Sequence, residues 1–272
     1  GFSPRSGFLP SPTVGGGSWL AYASLLSGTW VSNQRRYEAL GASDRLRLTG
    51  AFQRAGWHTV ALMPGVTQLW PEPERSYYAF DEIYTFNDLA YAGALFSFDS
   101  IPDQYVLSVL ERTALRPAPR APVMAVVTLI SSHAPWSPVP PLLDWEAIGD
   151  GSGYAEPAEE RQPAEIVLQR DPERVRADYA HAMAYSLGTV ISYIEKYGDE
   201  DLVLVFLGDH QPVPAVTGAT TNRDVPISLV TRDAAVLARI ADWGWVEGLV
   251  PSEQAPVWSM SDFRDRFLAA FA

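Results

Sequence analysis

The stretch DLVLVFLGDHQP, residues 201–212, indicates the fold most directly. Its apolar run 202–207 is typical of a strand buried on both faces, and a glycine, a carboxylate and an imidazole follow at once. In open α/β sheets, functional sites collect where the strands end. Asp209 and His210 are therefore candidate ligands for a divalent metal such as Zn or Mn. The alternative is a turn aspartate beside a surface histidine.

Other apolar runs repeat this pattern, and helical patterns lie between them. The further predicted strands are 57–63, 122–131 and 225–231. The predicted helices are 18–27, 43–55, 101–114, 172–197 and 232–242. This alternation predicts an α/β fold, a three-layer α/β/α sandwich with a mainly parallel central sheet. We expect one domain over 1–272. Residues 115–121 are predicted to form a Pro-rich surface connection. The segment 134–170 is longer than an ordinary loop and is a candidate to close over a site.

Composition excludes several classes of protein. The 272 residues include 20 Lys+Arg and 32 Asp+Glu, which gives a net charge of −12 and argues against broad nucleic-acid binding. The absence of cysteine excludes a disulfide scaffold, a cysteine zinc site and a thiol nucleophile. No apolar run approaches the roughly 18 residues of a membrane span. The start at Gly1 has neither Met nor a signal-peptide layout, and we expect it to be the cut end of a longer chain.

A glycine-rich segment provides a candidate nucleophile. Gly15, Gly16 and Gly17 run into Ser18, after which the pattern becomes helical. A serine at a helix N-terminus lies where backbone N–H groups and the helix dipole attract anions. The alternative is that Ser18 merely caps the helix behind a flexible loop. The segment is neither a Walker loop, since no Gly-Lys-Ser/Thr follows, nor a Gly-x-Ser-x-Gly elbow, since Leu20 replaces the second glycine.

A third candidate segment is TLISSHAPW, residues 128–136. His133 follows a predicted strand and is a candidate to donate to an anionic substrate or to act as a general acid. Its alternative role is to cap the strand end. We interpret His58, at the start of a strand, and His181, within a helix, as structural.

Together these segments resemble the sulfatase-like branch of the alkaline-phosphatase superfamily, and most closely the bacterial membrane-anchored phosphoglycerol transferases of the lipoteichoic-acid-synthase type. Gly208-Asp209-His210 is similar to the metal motif of that branch. The spacing from Ser18 to the Leu-Leu-Ser-Gly of 25–28 is similar to that from the sulfatase nucleophile to its Leu-Leu-Thr-Gly. The segment 132–136 looks like the substrate-binding histidine segment, and 179–197 looks like the long helix of the family.

The resemblance implies a role for each matching residue. Ser18 would be the nucleophile and a metal ligand, with Asp209 and His210 as further ligands of one divalent ion, Mn, Zn or Mg. His133 would bind the phosphate and assist catalysis.

Two further residues match less well-defined positions of the family. Trp70 would line the headgroup site and Arg75 would contact the anion. The implied reaction is a metal-dependent phospho- or sulfo-ester hydrolysis or a phosphoglycerol-type transfer through a covalent phospho-serine.

The sequence departs from the family pattern at two places, and each departure changes the expected chemistry. Leu20 and Tyr22 stand where formylglycine-dependent sulfatases need Pro and Arg, so Ser18 is expected to remain serine. The branch takes one metal carboxylate from a strand upstream of the nucleophile. Because 17 residues precede Ser18 and none is Asp or Glu, we expect that first strand and its ligand to be missing and the metal site to be incomplete.

Alternative functions remain open. They are a sulfatase or phosphomonoesterase of the same superfamily, and a non-catalytic binding domain that retains the fold. The resemblance implies an anionic ester substrate with a lipid or glycan headgroup. It also implies an extracytoplasmic location, with membrane attachment through upstream segments.

Overall fold

The computed structural model describes residues 1–68, 77–116 and 121–271. Its strands are β1 (Ser3–Pro10), β2 (His58–Met63), β3 (Glu82–Thr85), β4 (Val123–Val127), β5 (Val203–Leu207), β6 (Asp224–Thr231) and β7 (Val246–Glu247). Its α-helices are α1 (Ser18–Ser27), α2 (Gln34–Gly41), α3 (Leu48–Arg54), α4 (Asp103–Leu110), α5 (Ala164–Val167), α6 (Pro172–Tyr197), α7 (Pro214–Thr217), α8 (Ala234–Arg239) and α9 (Phe263–Phe271). Both element types occur throughout, so the predicted α/β class is confirmed.

The chain divides into two compact units that are interleaved in sequence. Among the described residues, unit 1 comprises 1–51, 77–78 and 198–271. Unit 2 comprises 52–68, 79–116 and 121–197. Each unit contains its own sheet, of four strands in unit 1 and three in unit 2.

The sheet of unit 1 is antiparallel, which differs from the mainly parallel sheet that we predicted. Its order is β5-β6-β1-β7, and β6 pairs antiparallel with both β5 and β1. Residues 208–223, which join β5 to β6, contain only the one-turn helix α7, too short to serve as the helical crossover that a parallel pair requires. β1 itself was not predicted, because its sequence SPRSGFLP lacks an apolar run.

An aromatic cluster packs against β1 in unit 1. Trp243 lies 5.0 Å from Trp245 and 5.3 Å from Trp258, between ring centroids. Gly7 of β1 allows this approach, since a Cβ there would lie 2.7 Å from Nε1 of Trp245. A glycine in the interior of the strand therefore has a packing role.

The sheet of unit 2 is parallel, as predicted. Its order is β3-β2-β4, and β2 pairs in parallel with both neighbours. The interior strand residues Val60 and Leu62 are fully buried in a core that also contains Tyr105 and Ile101. The strands 57–63 and 122–131 were therefore placed correctly, although β4 ends earlier than the pattern suggested.

The predicted helices are confirmed with adjusted bounds. The prediction for 172–197 agrees with α6, and that for 18–27 agrees with α1. The helix predicted over 43–55 corresponds to the shorter α3. The helix predicted over 101–114 corresponds to α4 followed by a π-helical turn at Glu111–Leu115. The sequence pattern missed α2, α9 and the one-turn helices α5 and α7. Within the described ranges, no helix combines the length and apolarity that a bilayer crossing requires.

Candidate functional site

Unit 1 brings the Ser18 segment alongside the Asp209 segment. Val14 and Gln211 form a parallel β-bridge, and the Gly15 N–H donates a 2.8 Å hydrogen bond to the Gln211 carbonyl. The Ser11 hydroxyl donates to the Asp209 carbonyl over 2.6 Å. Two segments separated by almost 200 residues in sequence therefore lie side by side.

Gly17, rather than Ser18, is the cap of α1. Its φ of 79° and ψ of 36° place it in the left-handed region, which glycine adopts without steric cost. A Cβ at Gly17 would lie 3.1 Å from Oγ1 of Thr13. Ser18 is then the first helical residue, so the interpretation of Ser18 as a simple N-cap is wrong.

The start of α1 presents free donors beside a partly exposed hydroxyl. Leu20 N–H bonds back to the Gly17 carbonyl over 2.9 Å. For Ser18 and Trp19, no acceptor of the backbone N–H lies among the residues that the structure describes. The Ser18 hydroxyl likewise has no hydrogen-bond partner in that part of the chain. A ten-residue helix with free N–H groups at this end favours an anion next to the Ser18 side chain.

Asp209 and His210 are arranged as a pair immediately after β5. Oδ1 of Asp209 accepts the His210 N–H over 3.0 Å, and Oδ2 lies 3.5 Å from Nε2 of His210. Nδ1 of His210 lies 2.9 Å from the Gln211 carbonyl. Because a carbonyl can only accept, Nδ1 carries a proton and the lone pair of the neutral ring is on Nε2. Metal-binding histidines commonly donate their second N–H to a carbonyl in this way.

The chemistry of these donors fits a divalent metal. Two ligand atoms that are each roughly 2.0–2.1 Å from a tetrahedral zinc lie about 3.3–3.4 Å apart. The 3.5 Å between Oδ2 of Asp209 and Nε2 of His210 is close to that separation. Over residues 1–68, 77–116 and 121–271, however, no group of three or more His, Asp or Glu side chains gathers at a common point. Asp209 and His210 are the two facing donors after β5.

His133 belongs to unit 2, where it follows the end of β4. Its ring stacks on Phe98 with centroids 3.8 Å apart and planes 30° apart. Nδ1 lies 2.6 Å from the Ala134 carbonyl and so carries a proton. The residue is exposed, and Nε2 is the ring nitrogen available to a ligand.

A buried carboxyl holds the segment before His133, and the sequence pattern did not reveal it. Oδ1 of Asp103 accepts the N–H groups of Ile130 and Ser131 over 2.8 and 2.9 Å. Burial raises the pKa of Asp103, while these hydrogen bonds and one from Ser186 act in the opposite direction. The sequence feature that could have drawn attention to Asp103 is its position at the start of a helix, directly after Pro102.

Unit 2 also contains a cavity of about 430 Å³ beside the same segment. Trp136 and Pro138 form part of its wall, and Glu156, Glu159 and Asp178 are among its charged lining residues. Arg174 bonds to Asp178 over 2.8 Å, which leaves the lining acidic on balance. Such a lining disfavours a phosphate anion, so we do not assign this cavity to the reacting group.

The other residues considered in the sequence analysis are two predicted substrate contacts and two histidines that we interpreted as structural. Trp70 and Arg75 lie outside the described residues, so their roles stay predictions. His58 begins β2, and its Nε2 lies 3.2 Å from Oε1 of Glu82. His181 is an exposed residue of α6 that lines the cavity.

Comparison with known proteins defines the class of fold. No protein-family profile matches the chain, and no curated protein matches it in sequence. Solved structures do match. A protein in the alkaline phosphatase superfamily from Vibrio parahaemolyticus aligns with a TM-score of 0.58 and 14% identity, over 97% of this chain and 57% of that one. The chain therefore has the alkaline-phosphatase-like fold that we predicted.

Two more specific structures share this fold. Streptococcus pyogenes phosphoglycerol transferase GacH, in complex with sn-glycerol-1-phosphate, aligns with a TM-score of 0.58 and 13% identity, over 96% of this chain and 63% of its own. The C-terminal periplasmic domain of EptC from Escherichia coli, in complex with Zn, aligns with a TM-score of 0.57 and 15% identity, over 97% of this chain and 69% of its own. The chain spans less than two thirds of the Vibrio and GacH structures.

Proposed function

We propose that this chain is the catalytic part of a metal-dependent phosphoester transferase or hydrolase in which Ser18 is the nucleophile. The observation that supports the proposal is the contact of the segment before α1, at Ser11 and Val14, with Asp209 and Gln211. The fold shared with GacH and EptC supports phosphoester chemistry as the reaction class. A zinc complex of EptC supports a divalent cofactor.

Asp209, His210 and Ser18 would hold the metal. When bound, the ion would supply charge neutralisation and a lower pKa for the coordinated hydroxyl. The chain contributes the remaining requirements. Asp209 provides an anionic oxygen, and the carbonyl of Gln211 fixes the His210 ring so that Nε2 faces the carboxylate.

The proposed reaction has two balanced steps. Ser18 Oγ attacks phosphorus and loses its proton, the P–O ester bond breaks, and the leaving alkoxide takes up a proton. Water or an acceptor alcohol then attacks the phospho-serine, and Ser18 recovers its proton as the P–Oγ bond breaks. The free N–H groups at the start of α1 would stabilise the oxygen charge in both steps. We propose His133 as a further phosphate-binding residue on the basis of the family resemblance.

The setting of the reaction is also a proposal. A periplasmic neighbour supports an extracytoplasmic location, and the glycerol phosphate complex of GacH supports an anionic phosphate-ester substrate. We propose a lipid or glycan headgroup as the substrate and membrane attachment outside residues 1–272.

Trapping the covalent intermediate tests the proposal. The purified protein would be incubated with chromogenic phosphodiesters, phosphomonoesters and sulfate esters in the presence of Zn²⁺, Mn²⁺ or Mg²⁺. Phosphodiester turnover and a phosphate on Ser18 by mass spectrometry are expected. Ser18→Ala should abolish both, whereas Ser32→Ala, at an exposed position just after α1, should change neither. Substantial turnover by Ser18→Ala would overturn the assignment, and preference for a sulfate or monoester would favour the alternative hydrolases.

A non-catalytic binding domain is the second candidate. The observation that favours it is the absence of a three-member acidic or histidine cluster within the described ranges. Measurement of bound metal separates the two: a stoichiometric divalent ion supports the enzyme, and its absence at saturating metal supports the binding domain.

A further inference from the structure

Phe98 is the most unusual exposed aromatic residue in unit 2. Its φ of 61° and ψ of 24° are left-handed, and Asp99 follows with a φ of 50°. Such conformations cost on the order of 1–3 kcal/mol each in residues other than glycine. Burial does not offset this cost, because Phe98 remains 48% exposed.

Contacts on both sides hold the strained turn against the His133 segment. The Ser97 N–H donates to the Pro138 carbonyl over 3.0 Å, and the Ser97 hydroxyl lies 3.5 Å from the His133 carbonyl. Asp99 forms a 3.2 Å ion pair with Arg161. The turn is therefore held by contacts that do not involve the Phe98 ring, and that ring stacks on His133.

Among the residues that the structure describes, the two contacts of the His133 ring leave Nε2 as its one polar atom without a partner. The Ala134 carbonyl binds Nδ1, and Phe98 covers one face of the ring. Rotation of the imidazole would break the hydrogen bond, the stack or both. Nε2 is consequently held in one direction, and as an imidazolium it would donate from there to an anionic oxygen.

We infer that Phe98 is a positioning residue for His133, fixing the direction in which Nε2 can donate to an anionic oxygen. This inference rests on the proposed function. It explains why an exposed phenylalanine occupies a position that glycine would occupy at lower cost. A purely structural role for the ring is the competing explanation.

Three substitutions at one position separate these explanations. Phe98→Gly removes the ring and suits the backbone, Phe98→Ala removes the ring and retains the strain, and Phe98→Tyr keeps the ring. NMR of the His133 Hδ2 and Hε1 protons reports the stack through the ring current. We expect these signals to lie upfield in the wild type and in Phe98→Tyr, and to shift downfield in the other two variants.

Phosphodiester turnover then reports the effect of the positioning. We expect kcat/KM to fall roughly 10- to 100-fold in Phe98→Gly and Phe98→Ala, the range expected for a misplaced contact group, with Phe98→Tyr close to the wild type. Phe98→Gly should keep the Tm of the wild type or exceed it. Unchanged His133 signals, or full kcat/KM in Phe98→Gly, would overturn the positioning role.

Failure of the proposed function can be distinguished from failure of the positioning role. If the wild type turns over no phosphoester, that function fails, and titration with inorganic phosphate at the His133 signals still tests the positioning. Tighter phosphate binding by the wild type and Phe98→Tyr than by Phe98→Gly supports it, and equal binding by all three refutes it.

Discussion

The Ser186 hydroxyl donates a 2.6 Å hydrogen bond to Oδ2 of Asp103, a carboxyl with no exposure to solvent. Because Oδ1 of the same carboxyl accepts the N–H groups of Ile130 and Ser131, shortly after β4, one side chain connects α4, α6 and the segment that leads to His133. Replacing this carboxyl therefore changes both the stability of unit 2 and the approach to His133.

Asp103→Asn should alter how stability depends on pH. Burial raises the pKa of Asp103 in the folded protein above its unfolded value, so its stabilising contribution is complete below about pH 4 and is lost as the pH rises through the folded pKa. The amide does not titrate. We expect the stability of the wild type relative to Asp103→Asn to fall as the pH rises from about 4, measured by urea unfolding at several pH values.

Asp44→Asn is the matched control, because Asp44 is an exposed aspartate. Its unfolding free energy should follow the wild type at every pH. A wild type that gains stability over Asp103→Asn as the pH rises would show that the hydrogen bonds outweigh burial at this carboxyl.

Metal binding should require both residues that follow β5. Asp209→Asn and His210→Ala should each abolish stoichiometric Zn²⁺ or Mn²⁺ binding in calorimetry, because each removes one of the two facing donors. A metal at 100 times its dissociation constant stabilises the folded state by about 2.7 kcal/mol, which a thermal shift detects. His58→Ala, which removes a histidine of unit 2 that also faces carboxylates, should bind as the wild type does. Full binding by His210→Ala would exclude the proposed ligand set.

Gly17→Ala should reduce both stability and turnover. The substitution forces a Cβ into a left-handed backbone at 3.1 Å from Oγ1 of Thr13, at the residue before Ser18. Gly56→Ala is a close match, since its φ of 83° is similar and no atom lies within 4 Å of a Cβ there. We expect both variants to lose about 1 kcal/mol to backbone strain, and only Gly17→Ala to lose activity as well. Equal activities would indicate that the geometry of the α1 start is unimportant to the reaction.

Arg264→Met should destabilise unit 1. The largely buried guanidinium donates from Nη1 to the carbonyl of Ser27 over 2.6 Å and to that of Leu46, and so satisfies the carboxyl end of α1. Because Arg45 also donates to Ser27, the loss falls mainly on the Leu46 carbonyl, and a buried acceptor left without a donor costs about 1–3 kcal/mol. Urea unfolding should show this loss, whereas Arg35→Met, at an exposed arginine of the same unit, should leave stability within about 0.5 kcal/mol of the wild type. A variant as stable as the wild type would mean that Arg45, which also donates to Ser27, is sufficient.

The sequence predicted secondary structure correctly where a segment had a clear apolar run or a long helical pattern. The apolar runs of β2, β5 and β6 and the length of α6 predicted the α/β class. The order of Ser18, His133 and Gly208-Asp209-His210 supported the superfamily resemblance.

The missed features depend on contacts between distant residues. β1 is a strand because Ser3–Pro10 pairs with Asp224–Thr231, not because its own residues favour extension. Asp103 and Phe98 were not identified because a buried carboxyl and a stacked ring are defined by partners that are not adjacent in sequence. The antiparallel direction of β6 was also missed. Its connection to β5 contains only the four-residue helix α7, and the sequence contains no signal for a helix that short.

The β1–β6 pairing also determines the order in which the protein can fold during synthesis. β1 is synthesised before its partner β6, which begins more than 200 residues later at Asp224, whereas the described residues of unit 2 all lie between 52 and 197. Closing so long a loop is entropically costly and slow. Unit 2 is therefore free to fold on the nascent chain while the N–H and C=O groups of β1 remain unpaired with β6. Chaperone contact with Ser3–Pro10 during that period would reduce misassociation.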